Sequence, residues 1–194
     1  QNLDTLPIPD RKFINFKNCY SLIGLSNFMT TIQTTRGCPF RSIYCDQQSG
    51  KILRKRSIDS IIEEIKQLYE LEIKDIFFID DLFTLDKNRV FDFCDKLISE
   101  KIKVFFKISA RVDNVDRKML KSLKEVGCYR IHYGIESGTQ RVLDTLQKGI
   151  TLEQIKDAFK WTKEAGIDTF AYFMIGCPGE TRQDILNTIN FALN

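Results

Sequence analysis

Short apolar runs of strand type alternate with capped, amphipathic helical stretches along nearly the whole chain, and this alternation most constrains what it can fold into. Strand candidates fall at 28–35, 75–80, 103–110, 129–133 and 169–175. Each is a compact apolar run, as expected of strands covered on both faces in a parallel sheet. Between them, Ile58, Ile61, Ile62, Ile65, Leu68 and Tyr69 repeat at helical spacing behind Ser57, a good N-cap. Val90, Phe91, Cys94, Leu97 and Ile98 do the same behind Asp86, and Met119, Leu120, Leu123 and Val126 behind Asp116, ending at Gly127. Ile155, Ala158, Phe159 and Thr162 follow the capping-box pair Thr151 and Gln154 and stop near Gly166. A last helix starts near Thr181. Five β/α units in series predict an α/β fold, a parallel sheet with right-handed crossovers. A closed eightfold barrel needs about 250 residues, so 194 residues suit a partial (β/α) barrel without its last strand.

Composition adds exclusions. With 43% hydrophobic and 28% charged residues the chain reads as one ordinary globular domain. Its net charge of +3 is small and dispersed, which gives no reason to expect nucleic acid. No apolar run reaches membrane-spanning length and no secretory leader opens the chain, so no membrane is expected and a cytoplasmic location is. Residues 1–27 read as an interdomain connector and 28–194 as the β/α domain. A start at Gln1 and a stop at Asn194 inside a helical pattern suggest a piece of a longer protein. Of the six cysteines, at 19, 38, 45, 94, 128 and 177, Cys94 and Cys128 lie in apolar periodic segments and read as small buried hydrophobes.

In parallel β/α folds, chemistry collects where strands end and loops begin. The first strand runs into RGCPFRSIYCDQ, residues 36–47, where Cys38 and Cys45 stand in a polar loop placed for metal ligation. A thiol at position 42 would complete C-x₃-C-x₂-C, three ligands for a four-iron cluster with one iron open, but position 42 is Ser42. A zinc site on the same two cysteines would lack the usual four ligands. The second strand ends at Asp80 and Asp81, either a solvated turn or a ligand-binding acid pair. The third ends at Arg111 and Asp113, where a guanidinium could clamp a carboxylate. The fourth ends in HYGIESG, with Gly134 and Gly138 around Glu136, and the fifth in FMIGCPGE, with Gly176, Gly179 and Glu180. His132, the single histidine, alternates onto the face of Arg130 and Gly134, either facing the barrel interior or satisfied in the core. Trp161 and the Phe-rich strands read as core.

Together TTRGCPFR, FFIDDLFTLDK, RVD, CYRIHYGIESG, KGIT and YFMIGCPGE resemble the radical S-adenosylmethionine (radical SAM) superfamily, most of all the class with a cobalamin-binding domain ahead of the barrel. The opening LPIPDR resembles that class's connector. The resemblance implies a [4Fe–4S] cluster, S-adenosylmethionine (SAM) chelated to its open iron, and a 5′-deoxyadenosyl radical. It implies Cys38 and Cys45 as cluster ligands, with Ser42 at the expected third position, and Tyr44 against adenine. It further implies Asp80 and Asp81 at the methionine ammonium, Arg111 and Glu136 at the carboxylate and ribose, and Ile175, Gly176 and Gly179 as a wall near adenine. An electron donor such as flavodoxin or ferredoxin is implied, and cobalamin only through a domain outside this chain. Ser42 departs from the pattern: a serine hydroxyl stays protonated in neutral water and binds iron poorly compared with a thiolate. The domain is therefore expected to be impaired in radical formation, or to be a SAM-cleft domain that has lost its cluster.

Overall fold

The computed structural model describes residues 2–14, 24–26, 28–46 and 49–193. Cys19, Gln47 and much of the predicted connector lie outside them. Five parallel strands form one sheet in the order β1-β4-β5-β6-β7: β1 (Met29–Ile32), β4 (Asp75–Phe78), β5 (Phe105–Ala110), β6 (Cys128–Glu136) and β7 (Asp168–Phe173). Two short strands, β2 (Thr35–Arg36) and β3 (Arg54–Lys55), pair antiparallel beside it. The helices are α1 (Ile58–Glu70), α2 (Lys87–Ser99), α3 (Arg117–Glu125), α4 (Gln140–Thr145), α5 (Leu152–Glu164) and α6 (Arg182–Leu193). The α/β fold and parallel sheet expected of a partial barrel are thus observed.

The helices start where their caps predict. Ser57, Asp86 and Asp116 each accept a backbone N–H of the first turn, and Thr151 and Gln154 close a reciprocal capping box ahead of α5. Along the strands, alternate residues point to opposite faces. One set, including Ile32, Ile76, Phe78, Phe106, Ile108, Ile131, Tyr133 and Ile135, is buried in the core shared with the helices. Phe78, Phe83, Phe93 and Phe106 meet there with centroids 5.0–5.9 Å apart, mostly edge to face. Cys94 and Cys128 are buried in the same core, and burial raises both thiols, Cys94 to about 12. Trp161 is partly buried against it, beneath the Arg117 guanidinium. The opposite face carries Phe77, Lys107, Arg130, His132 and Phe170, which the register aligns.

Besides shifts of one or two residues at strand ends, the structure differs from the sequence expectation in three places. The first strand, expected over 28–35, breaks at Gln33 and Thr34, because the Asp80 carboxylate takes the amides of Thr34 and Thr35 out of any ladder. The fourth strand runs on to Glu136, since Gly134 and Glu136 also pair with β7. The short α4 had no periodic signal long enough to read.

The start of the chain packs onto the domain. Two 3-10 turns, Leu3–Thr5 and Arg11–Phe13, bury Leu3 and Arg11. The Arg11 guanidinium reaches Glu64 of α1 at 2.5 Å and the Thr31 carbonyl of β1 at 2.8 Å. Glu64, with a side chain only 2% exposed, also accepts from Arg56. Removing one member of such a network leaves buried charge unpaired, typically costing about 3–5 kcal/mol. Glu64→Ala is expected to lower the unfolding free energy by about that much in urea denaturation.

His132 lies between Phe77 and Phe170, with Nδ1 2.9 Å from the Tyr172 hydroxyl, while Nε2 has no hydrogen-bond partner among the described residues. Burial, aided by Lys107 and Arg130, lowers its pKa from 6.5 to about 4. Between those values the unfolded chain binds a proton at this site and the folded chain does not, so stability falls as pH drops through that window. About 1–3 kcal/mol should be lost from this group, and His132→Phe should flatten that part of a stability–pH curve.

Candidate functional site

The loop after β1 is held by hydrogen bonds from three directions. Asp80 is buried, and its carboxylate accepts from the Thr34 amide at 2.5 Å, the Thr35 amide at 2.9 Å and the Thr34 hydroxyl. Burial pushes this carboxyl upward in pKa, opposed by those donors and by Arg89. Asp81 is exposed, and its Oδ2 accepts the Gly37 amide at 3.1 Å. Gly37 has φ +98°, and a Cβ there would sit 2.2 Å from the Ile52 carbonyl oxygen, so this turn needs glycine. The Cys38 amide donates to the Gly50 carbonyl at 3.0 Å, and the Ile43 amide to Leu146 at 3.1 Å. Cys38 is partly buried and Cys45 exposed. Burial raises the Cys38 thiol in pKa, opposed by the Phe40 amide and Arg111, while Asp81 and Cys45 add to the rise.

Facing this loop is the end of β6. Glu136 sits at a register shift between β6 and β7 and holds φ +71°, a left-handed conformation costly for a residue with a side chain. A bulge of this kind re-aims a side chain. Here Glu136 Oε1 accepts the Tyr44 hydroxyl at 2.9 Å and the Lys148 ammonium at 2.8 Å, and Lys148 also donates to the Tyr44 oxygen at 2.8 Å. Burial, then the neighbouring carboxylate, drive the Tyr44 phenol strongly upward in pKa, so it stays protonated. Gly134 leaves the space the pair occupies: a Cβ there would lie 2.6 Å from Glu136 Oε1 and 3.0 Å from Lys148 Nζ.

Arg111 is nearly buried and heavily engaged. Its guanidinium pairs in bidentate fashion with Asp113 at 2.9 Å, donates to the Lys148 carbonyl at 2.8 Å, and lies 3.7 Å from the centroid of the Phe40 ring. It therefore braces the cysteine loop and the Lys148 turn against each other. The fifth strand end is a turn in which Glu180 Oε2 accepts the amides of Gly176 and Cys177. Gly176 and Gly179 hold φ +90° and +69°, and Ile175 is exposed beside them.

The structure thus gathers Cys38, Tyr44, Asp81, Arg111 and Glu136 at one end of the sheet, with Asp80 turned inward as a support. Sequence reasoning missed Lys148: a lysine in a loop reads as solvated, and only the fold shows it buried. Its one signal was the string KGIT, to which no role attached. For a three-thiolate cluster the donor set does not fit. The loop offers Cys38, Cys45 and a hydroxyl, and among the described residues no three His, Cys, Asp or Glu side chains are grouped to hold a metal. The Ser42 carbonyl accepts the Cys45 amide at 3.2 Å, which closes the turn between the two positions. Cys177 does not stand in for Ser42, being packed with Val142 and Leu146 against Tyr44 and Met174.

Comparison with known proteins gives the family. The family model of the Radical SAM superfamily matches residues 32–192. An uncharacterized methyltransferase of Pyrococcus horikoshii is 37% identical over 201 residues, covering 99% of this chain and 42% of that protein. The anaerobic magnesium-protoporphyrin IX monomethyl ester cyclase of Cereibacter sphaeroides is 30% identical over 191 residues, covering 95% of this chain and 31% of that protein. This chain therefore spans less than half the length of either relative. Among solved structures, the fold is shared with TsrM, a radical SAM methyltransferase from Kitasatospora setae bound to cobalamin and a [4Fe-4S] cluster. The TM-score is 0.77 at 20% identity, covering 86% of this chain and 34% of that one. It is shared too with the cobalamin-dependent radical SAM enzyme OxsB, with a TM-score of 0.73 at 23% identity, covering 83% of this chain and 26% of that one. The sheet, the loop at its C-terminal edge and the family match together identify the chain as a member of the Radical SAM superfamily.

Proposed function

We propose that this chain is the SAM-binding core domain of a radical SAM enzyme of the cobalamin-associated class, and that with Ser42 in the loop it binds SAM without supporting appreciable radical formation. The observation that carries the reading is the convergence of Asp81, Tyr44 and Glu136 around the Cys38 loop. Glu136 uses only Oε1 for Tyr44 and Lys148. Among the described residues its Oε2 accepts no hydrogen bond, leaving an acceptor for ribose hydroxyls. The exposed Asp81 supplies a carboxylate for the methionine ammonium. Ile175 and the turn at Gly176 and Gly179 offer backbone surface to adenine.

In the superfamily the cluster supplies the electron that cleaves SAM. Here two thiols and a hydroxyl fall short of its usual ligands, so no step through it is derived for this chain. Cobalamin, bound by both solved neighbours named above, is proposed only for a domain outside these 194 residues. The one histidine here is enclosed by Phe77 and Phe170 and is not offered to a metal. Cytoplasmic placement is supported by the five free cysteines among the described residues, and no described helix is long and apolar enough to cross a membrane.

Anaerobic iron–sulfur reconstitution tests the loop. Ser42→Cys is expected to raise bound iron and sulfide towards four per chain and to strengthen the brown absorption, while the unmodified chain yields little or no 5′-deoxyadenosine with dithionite. Equal iron in both proteins, or robust 5′-deoxyadenosine from the unmodified one, would overturn the reading of Ser42.

The two aspartates should separate. Asp81→Asn is expected to weaken SAM by about 1–3 kcal/mol in calorimetric titration, the scale of a charge-assisted hydrogen bond, with the unfolding midpoint nearly unchanged. Asp80→Asn is expected to lower stability by a similar amount, because the amides of Thr34 and Thr35 and the Thr34 hydroxyl lose their charged acceptor. The opposite pattern would place Asp80, not Asp81, at the ligand.

A further inference from the structure

Lys148 is the one side chain at the site with no role in the reading above, and its geometry is unusual. Its side chain is 8% exposed, as is that of Glu136. It sits in a turn after α4 whose neighbours, Gln147 and Gly149, hold φ +51° and +67°. Its own amide donates to Leu143 at 3.0 Å, closing the end of α4. The left-handed Gln147 beside a buried lysine is a local cost, and burying the ammonium is a larger one unless it is paired. Pairing with Glu136 and Tyr44 offsets both. The Lys148 carbonyl receives Arg111, so the turn is braced from either side.

We infer that Lys148 is a positioning residue for the adenosine half of SAM: it holds Glu136 Oε1, and so presents Oε2 to the ribose hydroxyls. This rests on the SAM-binding reading of the same cleft. A carboxylate held at one oxygen by two donors has a fixed plane, and its second oxygen is then aimed without further ordering on binding. Loss of the ammonium leaves Glu136 Oε1 with the Tyr44 hydroxyl as its single described donor, so the carboxylate is free to turn. The effect is transmitted to ribose, not to the methionine carboxylate, because the ammonium's described partners are Glu136 and Tyr44. Lys148 also lies 5.6 Å from the Tyr44 ring centroid, so the same cation steadies the ring beside the proposed adenine site.

The test is a calorimetric series with S-adenosylhomocysteine and adenosine, neither of which needs the cluster, on the unmodified chain, Lys148→Met and Lys148→Arg. Lys148→Met is expected to weaken both ligands at least tenfold, and by equal factors. Lys148→Arg is expected to recover most of that loss, which a purely structural defect would not show. Adenosine affinity retained in Lys148→Met overturns the inference, whether or not S-adenosylhomocysteine weakens. If Lys148→Met does not fold, Gly134→Ala replaces it, since its Cβ pushes Glu136 and Lys148 apart while keeping both charges. Adenosine weakened in that variant supports the inference, and adenosine unchanged overturns it. Failure of the unmodified chain to bind either ligand is a different result: it removes the SAM-binding reading and this inference with it.

Discussion

The carboxylate of Asp80 is the constraint on which the site depends. By accepting the amides of Thr34 and Thr35 it stops β1 from continuing along β4 and turns the chain out of the sheet. Everything that follows uses that exit: β2 pairs with β3, Gly37 turns beneath Ile52, and Cys38 hangs from Gly50. Asp81, one residue on, reaches the same loop at Gly37. A pair of acids at a strand end thus divides its labour, the first inward to shape the loop and the second outward at the loop's rim.

The far wall is built on the opposite principle, strain held by pairing. Glu136 occupies a left-handed conformation at the end of β6, and a register shift against β7 accommodates it. A buried ammonium and a protonated phenol then fix its side chain. Arg111, spent on Asp113, Phe40 and the Lys148 carbonyl, ties this wall back to the cysteine loop. These contacts hold the loop, so in the reading proposed above a hydroxyl at position 42 leaves the scaffold around the cleft in place.

His132 shows how a residue that attracts attention in a sequence can be absorbed by packing. Its face was legible from strand alternation, and the register does align it with Ser109 and Phe170. Its partners were not, because Phe77 and Tyr172 belong to other strands. Lys148 shows the converse: a residue without local signal becomes central once α4 and its left-handed turn fold it inward.

What the sequence determined by itself was whatever depends on local order: the five strands, the caps at Ser57, Asp86, Asp116 and Thr151, and the clustering of acids and glycines at strand ends. Caps and periodicities are written within a few residues, and parallel crossovers then leave little choice of topology. The tertiary structure alone decided how those ends are used. Whether Asp80 or Asp81 faces outward, which carbonyl and ring Arg111 braces, and which cation meets Glu136 depend on partners 12 to 92 residues away in sequence, brought together only by the sheet. Side-chain charge is local in sequence, but its pairing and burial are properties of the fold.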